Sequence, residues 1–347
     1  MKILVDINHP AHVHLFKHLI WEARAKGHTV IVTASRKDVS FDLLKAYQID
    51  FIDVGSYGNT VYSKLVQIPV MAFKLCMIIR RYQPDIAIGL ASSRITHGAL
   101  LSKTKTLVCT DTEHASEEIM LFKPFATKIL TPNCFTKNLG PKQIRFNGYK
   151  ELAYLHPRYF HPDPSILKML GVRSDEKYVI MRFVSWQAAH DFAHKGLSLE
   201  NKVAAVREFS QYAKVFISSE KHLPSELQEF QIALPVDKIH DAMYYATLLY
   251  GESATMASEG AVLGTPAIFL DYAGRGYTTE QEKIYGSVFN FMVSRQDQEH
   301  SIKKGIELLQ LPNVKQQWAA KRQQILQDKT DVTQWMLNFI ENDQHEE

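Results

Sequence analysis

The stretch DINHPAHVHLFKHL, residues 6 to 19, sets four histidines beside an aspartate and an asparagine. Imidazole titrates near neutral pH and ligates metals, so such a run can hold a metal, move a proton or simply line a helix. His14 and His18 have the i, i+4 spacing of zinc sites, but there is no HEXXH and no third ligand nearby in the sequence, so no metal is expected. His12 differs from both. It falls where a strand gives way to the first helix, with Asn8 and His9 beside it, and there it can act as a base toward a hydroxyl or steady a developing charge.

A second polar group is DTEHA, residues 111 to 115: Asp111 and Glu113 are alternative bases and His114 adjoins them. Asp111 would equally serve as the N-cap of a following helix. Arg94, after IGLASS, and Arg182, at the end of VIMRF, suit anionic groups, with a structural role as the plain alternative; Arg275 in AGRGY is a third candidate. In GESATMASEGAVLGTP, residues 251 to 266, Ser253, Ala254 and Thr255 form a small-residue turn before a helix expected to start near Thr255. Free amides and the positive helix end there suit a phosphate. Glu259, one turn further on, could accept hydrogen bonds from a diol such as ribose. The plain alternative is a capped helix packed on a sheet.

These residues need a scaffold. The 347 residues, 46% hydrophobic and 22% charged, suffice for two cores, and a net charge of +3 with no basic tail argues against nucleic-acid binding. Cys76, Cys109 and Cys134 are far apart and mostly in apolar runs, as expected of buried free thiols in a reducing compartment. With no signal peptide read at MKILVDINHP, a cytoplasmic location is expected. The first half alternates β-branched runs (KILVDI, TVIVTA, DIAIGL, TLVCTD) with amphipathic stretches, the βαβ pattern of a parallel sheet, which binds ligands at the carboxyl ends of its strands. After a proline-rich connection around residues 147 to 165 a second series begins with YVIMRF and KVFISSE, and a Gln-rich helical tail runs from Val314 to Ile340. Residues 61 to 82 are strongly apolar but contain Lys64, Gln67, Pro69 and Lys74, so a membrane span is not expected. A helix buried in its domain is the first reading, and a surface helix resting on a membrane with Arg80 and Arg81 near headgroups is the second. The polar and aromatic loop from Ser185 to Lys195 has the composition of a lid.

Small residues, then Glu, then xxxLGxPxI at residues 253 to 268 resemble the donor-nucleotide motif of the glycosyltransferase-B superfamily, in particular of the peptidoglycan N-acetylglucosaminyltransferase and the non-hydrolysing UDP-N-acetylglucosamine 2-epimerases. PDIAIG is similar to a strand of the transferase's acceptor domain, and AHVHLFKHL to its GHvxPxxxL helix, with His12 at the His position. Almost the whole chain resembles an uncharacterised bacterial and archaeal glycosyltransferase-B-like family, through DINHPAHVHLF, DTEHA, NGYKELAYL, VIMRF, SSE and TMASEGAVLGTPAI. A departure is the loop Asn8, His9, Pro10, Ala11, where the transferase is glycine-rich.

The resemblance implies an α/β GT-B fold of two Rossmann-like domains facing each other across a cleft. An acceptor domain is expected at 1–150, a nucleotide-sugar domain at 151–325, and a C-terminal helix at 326–347 free to pack back on the first. It further implies a metal-independent transferase moving sugar from a UDP-sugar to a glycan or lipid-linked acceptor in surface polysaccharide or glycoconjugate synthesis. Arg182, Ser253, Ala254, Thr255 and Glu259 would bind the donor; Asn8, His9, Arg94, Glu113 and His114 the acceptor; His12 or Asp111 would be the base. The alternatives are a UDP-N-acetylglucosamine 2-epimerase or UDP-sugar hydrolase, and a non-catalytic nucleotide-sugar-binding protein. With no DxD, GxGxxG or Walker loop, no cofactor is expected beyond the nucleotide sugar as substrate, and peripheral membrane contact is open.

Overall fold

A computed structural model describes residues 1–56, 61–183, 196–219 and 222–342, without the side chains of 61–66 and 68; the expected lid from Ser185 to Lys195 lies outside the described residues. The chain divides into two units, Met1–Tyr159 with the segment from Thr330 onward, and Phe160–Lys329.

In the first unit β1 (Lys2–Ile7), α1 (Pro10–Ala25), β2 (Thr29–Ser35), α2 (Ser40–Ala46), β3 (Ile52–Gly55), α3 (Val61–Tyr82), β4 (Ile86–Leu90), α4 (Ser93–Gly98), β5 (Lys105–Cys109), α5 (Ser116–Phe122), β6 (Lys128–Pro132), β7 (Gln143–Phe146) and α6 (Leu152–Leu155) alternate regularly. The strands are all parallel, in the order β3-β2-β1-β4-β5-β6-β7. Burial on both faces explains their near-continuous apolar runs, such as IAIGL in β4. The order reverses between β1 and β4, so their carboxyl ends open a crevice there.

The second unit begins with α7 (Ser165–Met169), then β8 (Tyr178–Phe183), α8 (Leu199–Ser210), β9 (Lys214–Ser219), α9 (Ile239–Tyr245), β10 (Leu248–Gly251), α10 (Ala254–Leu263), β11 (Ala267–Leu270), α11 (Gly276–Lys283), β12 (Val288–Phe291), α12 (Arg295–Gln310) and α13 (Val314–Asp328). Its parallel sheet runs β12-β11-β10-β8-β9 and reverses between β8 and β10. Val179, Met181, Phe209, Leu248 and Trp318 are among its core residues.

Three sequence expectations change. The boundary falls at 159/160 rather than 150/151, because Leu152, Ala153, Tyr154 and Leu155 are all buried and α6 packs against α1. The C-terminal helix expected at 326–347 begins at Val332, after α13 has ended at Asp328. Between the two, Thr330 N donates to Asn147 O at 2.8 Å and Asp331 caps α14 (Val332–Asn342) by accepting from Gln334 N at 3.0 Å. α14 then packs on α1 and α6, and Thr333 Oγ1 donates to Ala153 O. Finally, α3 is a surface helix: Met71, Leu75 and Ile79 face the core, while Phe73 and Met77 are 66% and 50% exposed. Among the described residues no helix is long and apolar enough to cross a membrane.

Arg94 is a correction as well. The side chain expected to bind an anionic substrate is 1% exposed and grips Asp6, itself fully buried, through Nε to Oδ2 at 2.7 Å and Nη2 to Oδ1 at 2.8 Å. Nη2 also reaches Ile7 O and Nη1 reaches Ser35 Oγ, while Thr33 and Ser92 hydroxyls donate to the same carboxylate. A buried charge left without its partner is costly, so Arg94→Ala should lower stability by about 3–5 kcal/mol in urea denaturation, and replacing both partners with apolar residues should recover much of that loss.

Candidate active site

At the reversal point of the first sheet lies a pocket of about 400 Å³, within the range of small-molecule sites. Asn8 follows β1, Ala91 follows β4, Thr110 to Thr112 follow β5, His12 comes from the first turn of α1, and His114, Ala115 and Glu118 come from the start of α5. Pro10 opens α1, where its missing N–H costs nothing, and this brings His12 onto the pocket wall. Ala91 holds a left-handed φ of 46°, a strained conformation for a residue with a Cβ, at the pocket's edge.

His12 is buried, its Nδ1 has no hydrogen-bond partner among the described residues, and its ring is 5.9 Å from that of His9. Burial, with the charges of His9, Arg94 and Lys150 nearby, holds its pKa well below the ordinary 6.5. The ring is therefore neutral near pH 7, as a proton acceptor must be. Asp111 is differently placed. Lys150 Nζ lies 2.5 Å from its Oδ2 and 2.8 Å from Glu151 Oε1, and Thr112 Oγ1 donates to Oδ1 at 3.1 Å. Burial raises the Glu151 carboxyl against the pull of Lys150, and desolvation also raises Glu118.

The pocket thus gathers Asn8, His12, Asp111 and His114 from the expected set. His9 instead caps α1, its Nδ1 accepting from Ala11 N at 3.2 Å, and Glu113 is buried, accepting from Thr136 N at 3.3 Å. Neither is among the residues that line the pocket. Lys150, Glu151 and Glu118 went unassigned in the sequence; the first two follow a loop residue, Tyr149, and fit no periodic pattern.

The second group sits at the reversal point of the second sheet. Gly251 ends β10 at φ 148°, where a Cβ would fall 2.0 Å from Arg182 O, so no other residue fits. Ser253 Oγ caps α10 by accepting from Met256 N at 3.2 Å, and Ala254 and Thr255 begin the helix with no carbonyl one turn earlier to take their amides. Glu252, passed over in the sequence, fixes this turn: its buried carboxylate accepts from Leu197 N at 2.7 Å and pairs with Lys202 at 3.2 Å. Glu259 is 8% exposed and accepts from His240 Nε2 at 2.9 Å, an unforeseen partner. Arg182 and Ser253 share one recess, and Arg182 Nη1 donates to Ser218 Oγ at 2.9 Å. Arg275 pairs with Asp271 at 2.8 Å.

The family model described as Protein of unknown function (DUF354) matches residues 1–341. The chain belongs to this family. An uncharacterized protein of Methanocaldococcus jannaschii is 24% identical over 278 residues, 77% of this chain and 81% of that one. Among solved structures, a putative UDP-N-acetylglucosamine 2-epimerase from Listeria monocytogenes aligns over 100% of this chain and 97% of its own with a TM-score of 0.72 and 13% identity. The spinosyn forosaminyltransferase SpnP aligns over 96% of both chains with a TM-score of 0.62 and 13% identity. This family member therefore has the α/β GT-B fold that epimerases and glycosyltransferases share.

His14 and His18 lie away from this chemistry. His14 packs 5.5 Å from Tyr154, and His18 stacks on Tyr159 at 4.5 Å with its Nε2 buried and unpartnered among the described residues. Among those residues no three His, Cys, Asp or Glu lie together as a metal site. Burial drops His18 from 6.5 to about 3, so as pH falls the unfolded chain takes up its proton first. Stability should be full above pH 6.5 and decline toward pH 3, and His18→Phe should flatten that decline in thermal melts.

Proposed function

We infer that the protein is a glycosyltransferase using a UDP-sugar donor. The second unit binds the donor: the Ser253 to Thr255 turn takes the diphosphate, Arg182 adds a positive charge beside it, and Glu259, oriented by His240, accepts from the ribose hydroxyls. The first unit binds the acceptor in its pocket, where Asn8 and His114 contact it and His12 takes the proton of the attacking hydroxyl. The observation that carries this reading is His12, a buried neutral imidazole on the wall of a substrate-sized pocket with an unpartnered nitrogen. Asp111 is the lesser base, since Lys150 already neutralises it; it serves to anchor the β5 end of the pocket. The leaving diphosphate is stabilised by the helix end, so no metal enters the mechanism.

A second reading is a UDP-N-acetylglucosamine 2-epimerase or UDP-sugar hydrolase. It is favoured by Glu118, whose carboxyl is raised by desolvation and shares the pocket with His12, giving two groups able to exchange protons there. Incubation with UDP-N-acetylglucosamine alone separates the two: conversion without acceptor supports epimerisation or hydrolysis, and an unchanged donor supports transfer.

Calorimetry on the full chain should detect UDP-sugar binding, weakened about tenfold or more by Glu259→Ala. An intact affinity in that variant, or no binding by the wild type, would sink the donor assignment. His12→Ala should reduce turnover about 100- to 10,000-fold. Because the His12 pKa is depressed, activity should persist as pH falls through 6.5, losing the base only at more acidic pH.

A further inference from the structure

Among the described residues, the helical layer formed by α3, α4 and α5 leaves an apolar surface uncovered. Phe73 and Met77 lie on the outer stripe of α3, Leu100 and Leu101 follow α4, and Met120 and Phe125 lie on and just after α5; their exposures run from 45% for Phe125 to 78% for Leu101. Soluble surfaces carry single exposed apolar residues routinely, but a contiguous group of this size marks an interaction surface. The residues adjoin through packed elements. A Cβ on Gly98 of α4 would fall 2.9 Å from Leu75 Cβ of α3, and His97 of α4 meets Leu121 O of α5 at 3.1 Å and the Phe125 ring at 5.0 Å.

Charge narrows the choice of partner. Arg80 and Arg81 end α3, Lys103 follows Leu100 and Leu101, and Lys123 lies between Met120 and Phe125; all four are exposed. Apolar side chains with a basic fringe are the pattern of a surface seated at the interface of an anionic bilayer. Within α3, α4 and α5 the acidic side chains, Glu117 and Glu118, are confined to the first turn of α5, where Glu118 lines the pocket. One short helix thus carries a pocket residue at its start and an apolar docking residue, Met120, just beyond.

We propose that α3, the turn after α4 and the end of α5 seat the first unit on an anionic phospholipid membrane, with Phe73, Met77, Leu100, Leu101, Met120 and Phe125 entering the headgroup boundary. Resting on the transferase reading, this assigns the acceptor to lipid-linked sugars, whose polar head would occupy the pocket while the tail stays in the bilayer.

Flotation of the full chain with vesicles tests the docking without reference to activity. Vesicles of phosphatidylcholine with phosphatidylglycerol should carry the protein up the gradient, and phosphatidylcholine alone should carry much less. The triple variant Phe73→Ser, Leu101→Ser, Met120→Ser, checked for an unchanged thermal melt, should lose about tenfold or more of this binding. Arg80→Glu with Arg81→Glu should weaken it and remove its salt sensitivity. No flotation of the wild type with either vesicle overturns the proposal, as does a folded triple variant that floats equally well. A wild-type dimer in sedimentation that the triple variant dissolves, without flotation, would assign the surface to self-association instead. Failure of nucleotide-sugar binding would remove the lipid-linked acceptor while leaving the docking result standing.

Discussion

The carboxylate of Asp6 accepts four hydrogen bonds, two from Arg94 and one each from Thr33 and Ser92, and the geometry of the first unit follows from that arrangement. Asp6 stands opposite Thr33 of β2 and Gly89 of β4 in the sheet, so the bonds tie together the carboxyl ends of the three strands around the reversal point. An ion pair removed from water repays its desolvation only when every remaining donor and acceptor is matched, and here Ile7 O and Ser35 Oγ complete the guanidinium's set. Asn8 and Ala91 leave the sheet from these pinned ends, and His12 follows one turn later. The Arg94 charge also reaches His12 and helps to keep it neutral.

The second unit solves the same problem at its own reversal point. There the buried carboxylate is Glu252, its cation is Lys202, and the strand end it fixes leads into the capping turn at Ser253. Burial lowers the Lys202 pKa while Glu252 opposes the drop. In both units a paired charge just behind a strand end holds the backbone that leads into the candidate site.

Much of this scaffold was legible because a parallel sheet writes itself as short apolar runs separated by helices, and that order alone places Asn8, His12, Asp111, His114 and Ser253 at strand or helix ends. What the order does not give is the direction of a side chain. Arg94 begins a helix at the right edge, yet turns inward because Asp6 waits in the core, and a charge in β1 gives no sign of which distant cation it will meet. Lys150 lies 39 residues from Asp111, a separation no local pattern bridges. The cap at His9 shows the same limit: its ring takes a role more usual for Ser, Asp and Asn. The break between α13 and α14 did carry a signal in Asp331, a residue suited to cap the helix that follows it, but polar residues on either side masked the change.

The return of α14 to the first unit makes the second unit an insertion in the order of synthesis. On the ribosome, residues 160 to 329 emerge and can fold before the helix that covers α1 and α6 exists. Until then Leu152 and Leu155 of α6 lack their α14 neighbour, and the bonds from Thr333 to Ala153 and from Lys26 to Glu341 are unmade. The nascent chain therefore completes its later unit first, and the pocket-bearing unit gains its final helix only when translation has passed the insertion.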